Sequence, residues 1–431
     1  MVEFPPSTSN NGTVAVQGLT RMLRRLIASI FGCVAIAGLA GADWPQFRGA
    51  DSSGVSAENN VPTVIDDNVA WSADLPGRGL SGPIVIGKKV FLTASSGYKQ
   101  DRLHVLCFDA ASGKKLWERQ FWATGRTQCH EKMCNATPTP ASDGKRVFAF
   151  YSSNDVICLD LDGNLQWMRG MTHDYPNASN SLGMASSLTI AGDTLIVPVE
   201  NLSESFTAGL DPETGINRWK LDRPLLDNWT SPAVLPGKTP QEDLVVLQSA
   251  KGLVALRPYS AFEVWRFDDG TSTIPSATQA GGLLCIPARG LTALEPQAAG
   301  EPPRVLWSSN KLAPAIATPL VDEGRVYNLN GTGVLGCGDL KTGQVLWQLR
   351  LQVPLGETTS RGVFTSSPVA AGGHLYFFNE DGVAIVVKGG ETGSIVSSHE
   401  FRETILCTPA ISGGAVYVRS DKHLWKIGQH D

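Results

Sequence analysis

DPETGINRW (211–219) packs a carboxylate, a hydroxyl, an amide, a guanidinium and an indole into nine residues. Alone it has the make-up of a binding site. Its copies give it a different meaning. CFDAASGKKLW (107–117), GLDPETGINRW (209–219) and CGDLKTGQVLW (337–347) all follow small-x-Asp-x-x-Ser/Thr-Gly-x-x-x-Trp. CLDLDGNLQW (158–167) is one residue shorter, and ALRPYSAFEVW (255–265) has lost the acid and the glycine. ALEPQAAGEPPRVLW (293–307) carries an insertion, and VVKGGETGSIVS (386–397) ends in Ser397 where the others have Trp. A residue that recurs at one offset in every unit serves the stacking of units, because each repeat must bury the same face against its neighbour.

A second pattern precedes each copy: a Ser/Thr/Pro pair, an apolar run, a glycine turn and a second apolar run. It starts at SGPIVIG (81–87), TPTPASDG (137–144), SSLTIAG (186–192), TSPAVLPG (230–237), IPSATQAGG (274–282), ATPLVDEG (317–324), SSPVAAGG (366–373) and CTPAISGG (407–414). Eight starts across 389 residues give units of just under 49 residues. Short Val/Ile/Leu/Phe runs between Gly and Pro, with no sustained helical spacing, read as strands. Each unit is therefore a four-stranded blade. The last unit stops after its third strand, KHLWKI (422–427), while NVAWSADLPG (68–77) is a lone fourth-type strand before the first unit. Together they complete one blade and close a ring, leaving no free sheet edge at the seam. The fold class is all-β: an eight-bladed propeller of antiparallel blades closed by an N-terminal strand. Seven blades is the alternative, since the copies across 255–307 are degenerate.

The repeat residues have structural roles in this reading. Asp109, Asp211 and Asp339 open the turn into the fourth strand, and Gly113, Gly215 and Gly343 supply its left-handed angle. Trp71, Trp117, Trp167, Trp219, Trp265, Trp307 and Trp347 wedge between blades, each worth ~3–5 kcal/mol on truncation to Ala.

The repeat resembles the pyrroloquinoline quinone (PQQ)-like repeat. Bearers of that repeat include quinoprotein alcohol dehydrogenases and the propeller lipoprotein of the bacterial outer-membrane β-barrel assembly machinery. DWPQFRG (43–49), with VAWSADLPGRGLSGPIV (69–85), is similar to exported PQQ-like propellers common in planctomycete-type bacteria. The dehydrogenase resemblance implies PQQ, a Ca²⁺ site of Glu, Asn and Asp, a catalytic Asp and an adjacent Cys-Cys pair. The chain has no adjacent cysteines, and no Ca²⁺ ligands map onto it. No cofactor, metal or catalytic residue is therefore assigned.

The N-terminus carries an address. Arg21, Arg24 and Arg25 precede an apolar run from Leu26 to Leu39, followed by Ala40-Gly41-Ala42. That is the layout of a secretory signal cleaved near Ala42. Residues 1–42 are read as extension and signal peptide, and 43–431 as one propeller domain in the periplasm or cell envelope. Membrane contact is expected only through the signal, before cleavage. The remaining chain keeps 33 Lys/Arg against 40 Asp/Glu, a net charge of −7, with no basic run. Nucleic acid is excluded as a partner on that ground.

Function in a repeat fold belongs where the units differ. Three connections between blades stand out. WATGRTQCHEKMCNATP (122–138) holds Arg126, His130 and Glu131, and a local disulfide between Cys129 and Cys134 is expected there. Cys-x4-Cys is a poor zinc spacing. GMTHDYPNASNSLGMASS (170–187) holds His173, Asp174 and Asn180, and LDRPLLDNWTSP (221–232) holds Arg223, Asn228 and Trp229. These nine residues are the candidate binding face. The chain reads as a non-enzymatic exported platform for a protein or cell-envelope partner. A PQQ-dependent dehydrogenase-like or carbohydrate-processing propeller is the alternative.

Overall fold

A computed structural model describes residues 1–3, 42–180, 182–298, 300–352, 354–355, 358–359 and 362–429. The expected signal peptide lies outside the described residues. From Ala42 onward the chain is nearly all β and forms eight four-stranded blades. Blades 1 to 7 span 84–122, 141–170, 189–222, 233–267, 278–309, 320–350 and 369–400. Blade 8 joins Ala410–Ser412, Ala415–Arg419 and His423–Ile427 to the early strand Val69–Asp74, which pairs antiparallel with His423–Ile427. The first strand of each blade touches the first strands of its two neighbours, including blade 8 against blade 1, so the ring is closed.

The tryptophan turn explains why consecutive blades stick. Asp211 Oδ1 accepts from the Glu213 and Thr214 amides and the Thr214 hydroxyl, and Asp109 and Asp339 hold their turns in the same way. Gly215 sits at φ +71°, where a side chain is strained. A Cβ there would lie 2.7 Å from the Trp167 ring of the preceding blade. The indole N–H then donates to a turn carbonyl of the next blade. Trp71 reaches Ala110, Trp117 Leu161, Trp167 Pro212, Trp219 Pro258, Trp307 Leu340 and Trp347 Gly390, all within 2.7–3.2 Å. Within their own blades Trp117, Trp167, Trp219, Trp265, Trp307 and Trp347 are the register partners of the small repeat residues Cys107, Cys158, Gly209, Ala255, Ala293 and Cys337, whereas Trp71 pairs with Lys426. A Cβ on Gly209 would meet the Trp219 ring at 2.2 Å, which is why that place must stay small.

Two departures from the repeat have visible causes. Trp265 is buried, but its indole nitrogen has no acceptor; the turn it faces in blade 5 is the one with the insertion. Blade 7 has Ser397 in place of Trp because another part of the chain fills that groove. Ser397 donates to the Thr63 carbonyl, Tyr376 to that of Val61, and His399 pairs with Asp66.

The same N-terminal segment closes one end of the channel. Trp44 bridges Val85 of blade 1, Pro45 accepts from Ser142 of blade 2, and Gln46 accepts from Ile190 of blade 3. Val55–Ser56 adds a parallel strand to blade 7. Between them Arg48 is wholly buried. Its guanidinium donates to the carbonyls of Ser53, Pro319 and Pro368 at 2.6, 2.8 and 3.1 Å. Burial disfavours its charge, and these oxygens, with Asp51 nearby, offset that cost.

Trp307→Phe removes a bonded indole N–H, whereas Trp265→Phe removes an orphan. Urea unfolding should show the first variant losing about 1 kcal/mol or more relative to the second. Equal losses would mean that the indole-to-carbonyl bond contributes nothing.

Candidate funnel at the channel mouth

The loops joining each fourth strand to the next blade's first strand converge on one end of the channel. They line a cavity of about 390 Å³. All eight connections contribute to it, and Phe47 of the N-terminal segment is its remaining wall. The funnel is thus open at the loop face, while the opposite end of the channel is crossed by residues 44–54.

Two rings of side chains build the wall. The deeper ring is the Ser/Thr of each start pattern: Thr139, Ser187, Ser231, Ser276, Thr318, Ser367 and Thr408. Each oxygen accepts the backbone N–H of the equivalent residue one blade earlier. Gly82 donates to Thr139, Thr139 to Ser187, Ser187 to Ser231, Ser231 to Ser276, Ser276 to Thr318, Thr318 to Ser367 and Ser367 to Thr408, at 2.9–3.1 Å. The relay breaks only at Gly82, where a Cβ would sit 2.6 Å from the Thr408 carbonyl oxygen. The shallower ring lies two residues earlier in each connection: Leu80, Thr137, Ala185, Trp229, Ile274, Ile316, Thr365 and Leu406. It is mostly apolar, and Ile274 and nearby Leu182 are more than two-fifths exposed.

A strap crosses part of the mouth. His130 N–H donates to the Leu182 carbonyl, the Glu131 carbonyl accepts from Arg78, and Lys132 pairs with Glu380 of blade 7 at 3.0 Å. Three consecutive residues therefore tie the 122–138 connection to the loop after blade 2, the loop before blade 1 and a turn of blade 7.

Of the nine candidate residues, the structure brings His130 and Trp229 to the funnel. Glu131, within the strap, has an exposed side chain, and Arg126 is exposed and bonded to Gln128. His173 is exposed on the short helix Met171–Asp174; Asp174 pairs with Arg169 at 2.5 Å rather than with the histidine. Asn180 is buried and braces Ser152 and Asn154. Arg223 and Asn228 are buried on Glu200, and both also donate to the Gln248 carbonyl. These charges tie blade 3 to blade 4. The disulfide expected between Cys129 and Cys134 is absent, since both are free thiols. Cys129 faces the Thr127 carbonyl and Ser152, while Cys134 is buried beside Thr137, so the two sulfurs have different partners. Burial pushes the Cys134 thiol up to about 11.

Sequence reasoning passed over Leu80, Met133, Leu182, Ile274, Ile316 and Leu406. The available signal was register: five of the eight places two before the relay residue carry a large apolar residue.

The fold and funnel define a closed propeller of PQQ-like repeats. A family model described as "Outer membrane protein assembly factor BamB" matches residues 61–197, 262–363 and 331–431. The chain belongs to that family. No curated protein matches the sequence. Among solved structures, BamB from Moraxella catarrhalis is 16% identical over 83% of this chain and 96% of its own, with a TM-score of 0.58. Quinohemoprotein alcohol dehydrogenase from Comamonas testosteroni is 13% identical over 89% of this chain and 80% of its own, at 0.63. A europium-containing methanol dehydrogenase is 14% identical over 88% and 89%, at 0.64. Identities this low carry the fold alone.

Ser231→Ala leaves the buried Ser187 N–H without its acceptor and should cost about 1–3 kcal/mol in urea unfolding. An unshifted midpoint would show that the relay does not hold the ring.

Proposed function

We propose that the chain is an exported binding platform whose loop face takes an apolar side chain or loop tip from a protein or cell-envelope partner. The observation that carries this reading is the funnel: one end blocked, apolar at its rim, and built from all eight connections. Such a shape suits an inserted apolar anchor. The family description, naming an outer-membrane assembly factor, supports the same setting. So does the basic-then-apolar leader before Ala42.

The quinoprotein alternative fares worse on donor chemistry. A divalent cation such as Ca²⁺ takes six to eight oxygen ligands, carboxylates prominent among them. No carboxylate lines the funnel among the described residues. Its nitrogen-bearing side chains besides Trp229 are His130 and Lys132, the latter already paired with Glu380. These residues do not fit a calcium-bound quinone.

The test places a photo-crosslinking residue at Ile274 and, as a control, at Gly144 in the turn after Ala141–Ser142, away from the funnel. Crosslinks to envelope proteins should form at 274, fail at 144, and be competed by unlabelled protein but not by its Trp229→Ala variant. Equal crosslinking at both positions would contradict the reading. So would tight binding of added PQQ and Ca²⁺ with dye-linked alcohol oxidation.

A further inference from the structure

Blade 1 carries a second constellation, outside the funnel lining. Ser96 ends its second strand, His104 lies in its third and Glu118 in its fourth. Register puts them on one face: Ala94 pairs with His104, Ser96 with Arg102, and His104 with Gln120. Opposed residues of an antiparallel pair share a face, and so do residues two apart. On that face Ser96 Oγ lies 2.7 Å from His104 Nε2, and His104 Nδ1 lies 2.8 Å from Glu118 Oε1. A carboxylate on Nδ1 fixes the tautomer that leaves Nε2 free to take a proton, and the hydroxyl on Nε2 is the group that supplies one.

The surroundings hold the base and leave the nucleophile reachable. Lys115 and Gln120 donate to Glu118 at 2.7 and 2.8 Å. Burial alone would raise that carboxyl, but bonds from Lys115, His104 and Gln120 hold it down at about 2. His104 is 3% exposed, and its carbonyl accepts the Tyr151 hydroxyl at 2.7 Å. Ser96 is partly exposed. Gly77 faces it, where a Cβ would come within 2.8 Å of Ser96 Cβ. Arg102, the register partner of Ser96, stacks its guanidinium 3.9 Å from the ring centroid of Trp122, which is 60% exposed.

We propose that Ser96, His104 and Glu118 form a nucleophilic serine site that takes acyl groups from small carboxylic esters bearing a nearby negative charge. Ser96 Oγ attacks the carbonyl carbon and its proton passes to His104 Nε2. The ester C–O bond breaks, and the leaving alcohol carries that proton away. Water then attacks the acyl-serine, giving a proton to His104; the bond to Ser96 breaks and the proton returns to Oγ. Glu118 positions the imidazole, and Arg102, the register partner of Ser96, is the cation that selects anionic esters. This site stands independently of the funnel reading.

The test incubates the folded full-length protein with a fluorophosphonate, whose phosphorus takes the serine oxygen as fluoride leaves. Mass spectrometry should find one addition, on Ser96, absent from Ser96→Ala and from the urea-unfolded chain. Glu118→Gln, with its fold checked by circular dichroism, should react about ten-fold more slowly or worse. Ser96→Ala should also lose hydrolysis of para-nitrophenyl esters, and Arg102→Ala the preference for the glutarate monoester over the acetate. An unmodified Ser96 in the folded chain overturns the proposal, as does an unchanged rate in folded Glu118→Gln. The cluster would then be no more than the anchoring of a buried histidine.

Discussion

The pairing of Val69–Asp74 with His423–Ile427 is the contact on which the rest depends. Without it blade 8 has three strands, and the ring keeps an unpaired edge. With it, Trp71 reaches across the seam to the Ala110 carbonyl and covers Gly113, so the last blade grips the first as other tryptophan-bearing blades grip their successors. The same closure dictates the path of everything before residue 69. The chain must run from the channel to the rim, and on the way it does two jobs. Residues 44–54 cross the channel with Arg48 buried on proline carbonyls, and residues 61–66 fill the groove where blade 7 lacks its tryptophan.

Closure also divides the labour between the two ends of the channel. One end is spanned by the N-terminal segment. The other is formed by eight connections whose backbone is pinned, one blade to the next, by the Ser/Thr relay. Because the pinning uses the hydroxyl oxygen and the preceding backbone, the residue two positions earlier is free to vary. Five of those eight places hold Leu, Ile or Trp, and that choice makes the mouth apolar.

The architecture was legible because the residues that make it recur. The Asp-turn-Trp unit, the small residue across from each tryptophan and the two incomplete ends led to eight blades, and the degenerate copies across 255–307 are blades 4 and 5. Repetition gives no help with a segment that occurs once. The path of 44–66 left no pattern, and the Ser397 departure had no visible reason until that segment was placed. The candidate face was harder still. A search for charge and amide groups selected Asp174, Asn180, Arg223 and Asn228, which the fold uses to brace loops. The mouth of the funnel is lined instead mostly by apolar side chains, above a ring of Ser and Thr, and their meaning lies in their register. Ser96, His104 and Glu118 are spread over three strands, so only the sheet brings them together.

Native-state hydrogen exchange tests the closure most directly. The amides that Val69–Asp74 and His423–Ile427 share should be protected to the same free energy as the paired outer strands of blade 3, Phe206–Leu210 and Asn217–Asp222. Fast exchange confined to Val69–Asp74, with blade 3 still protected, would contradict the account: the ring would stand without its N-terminal strand.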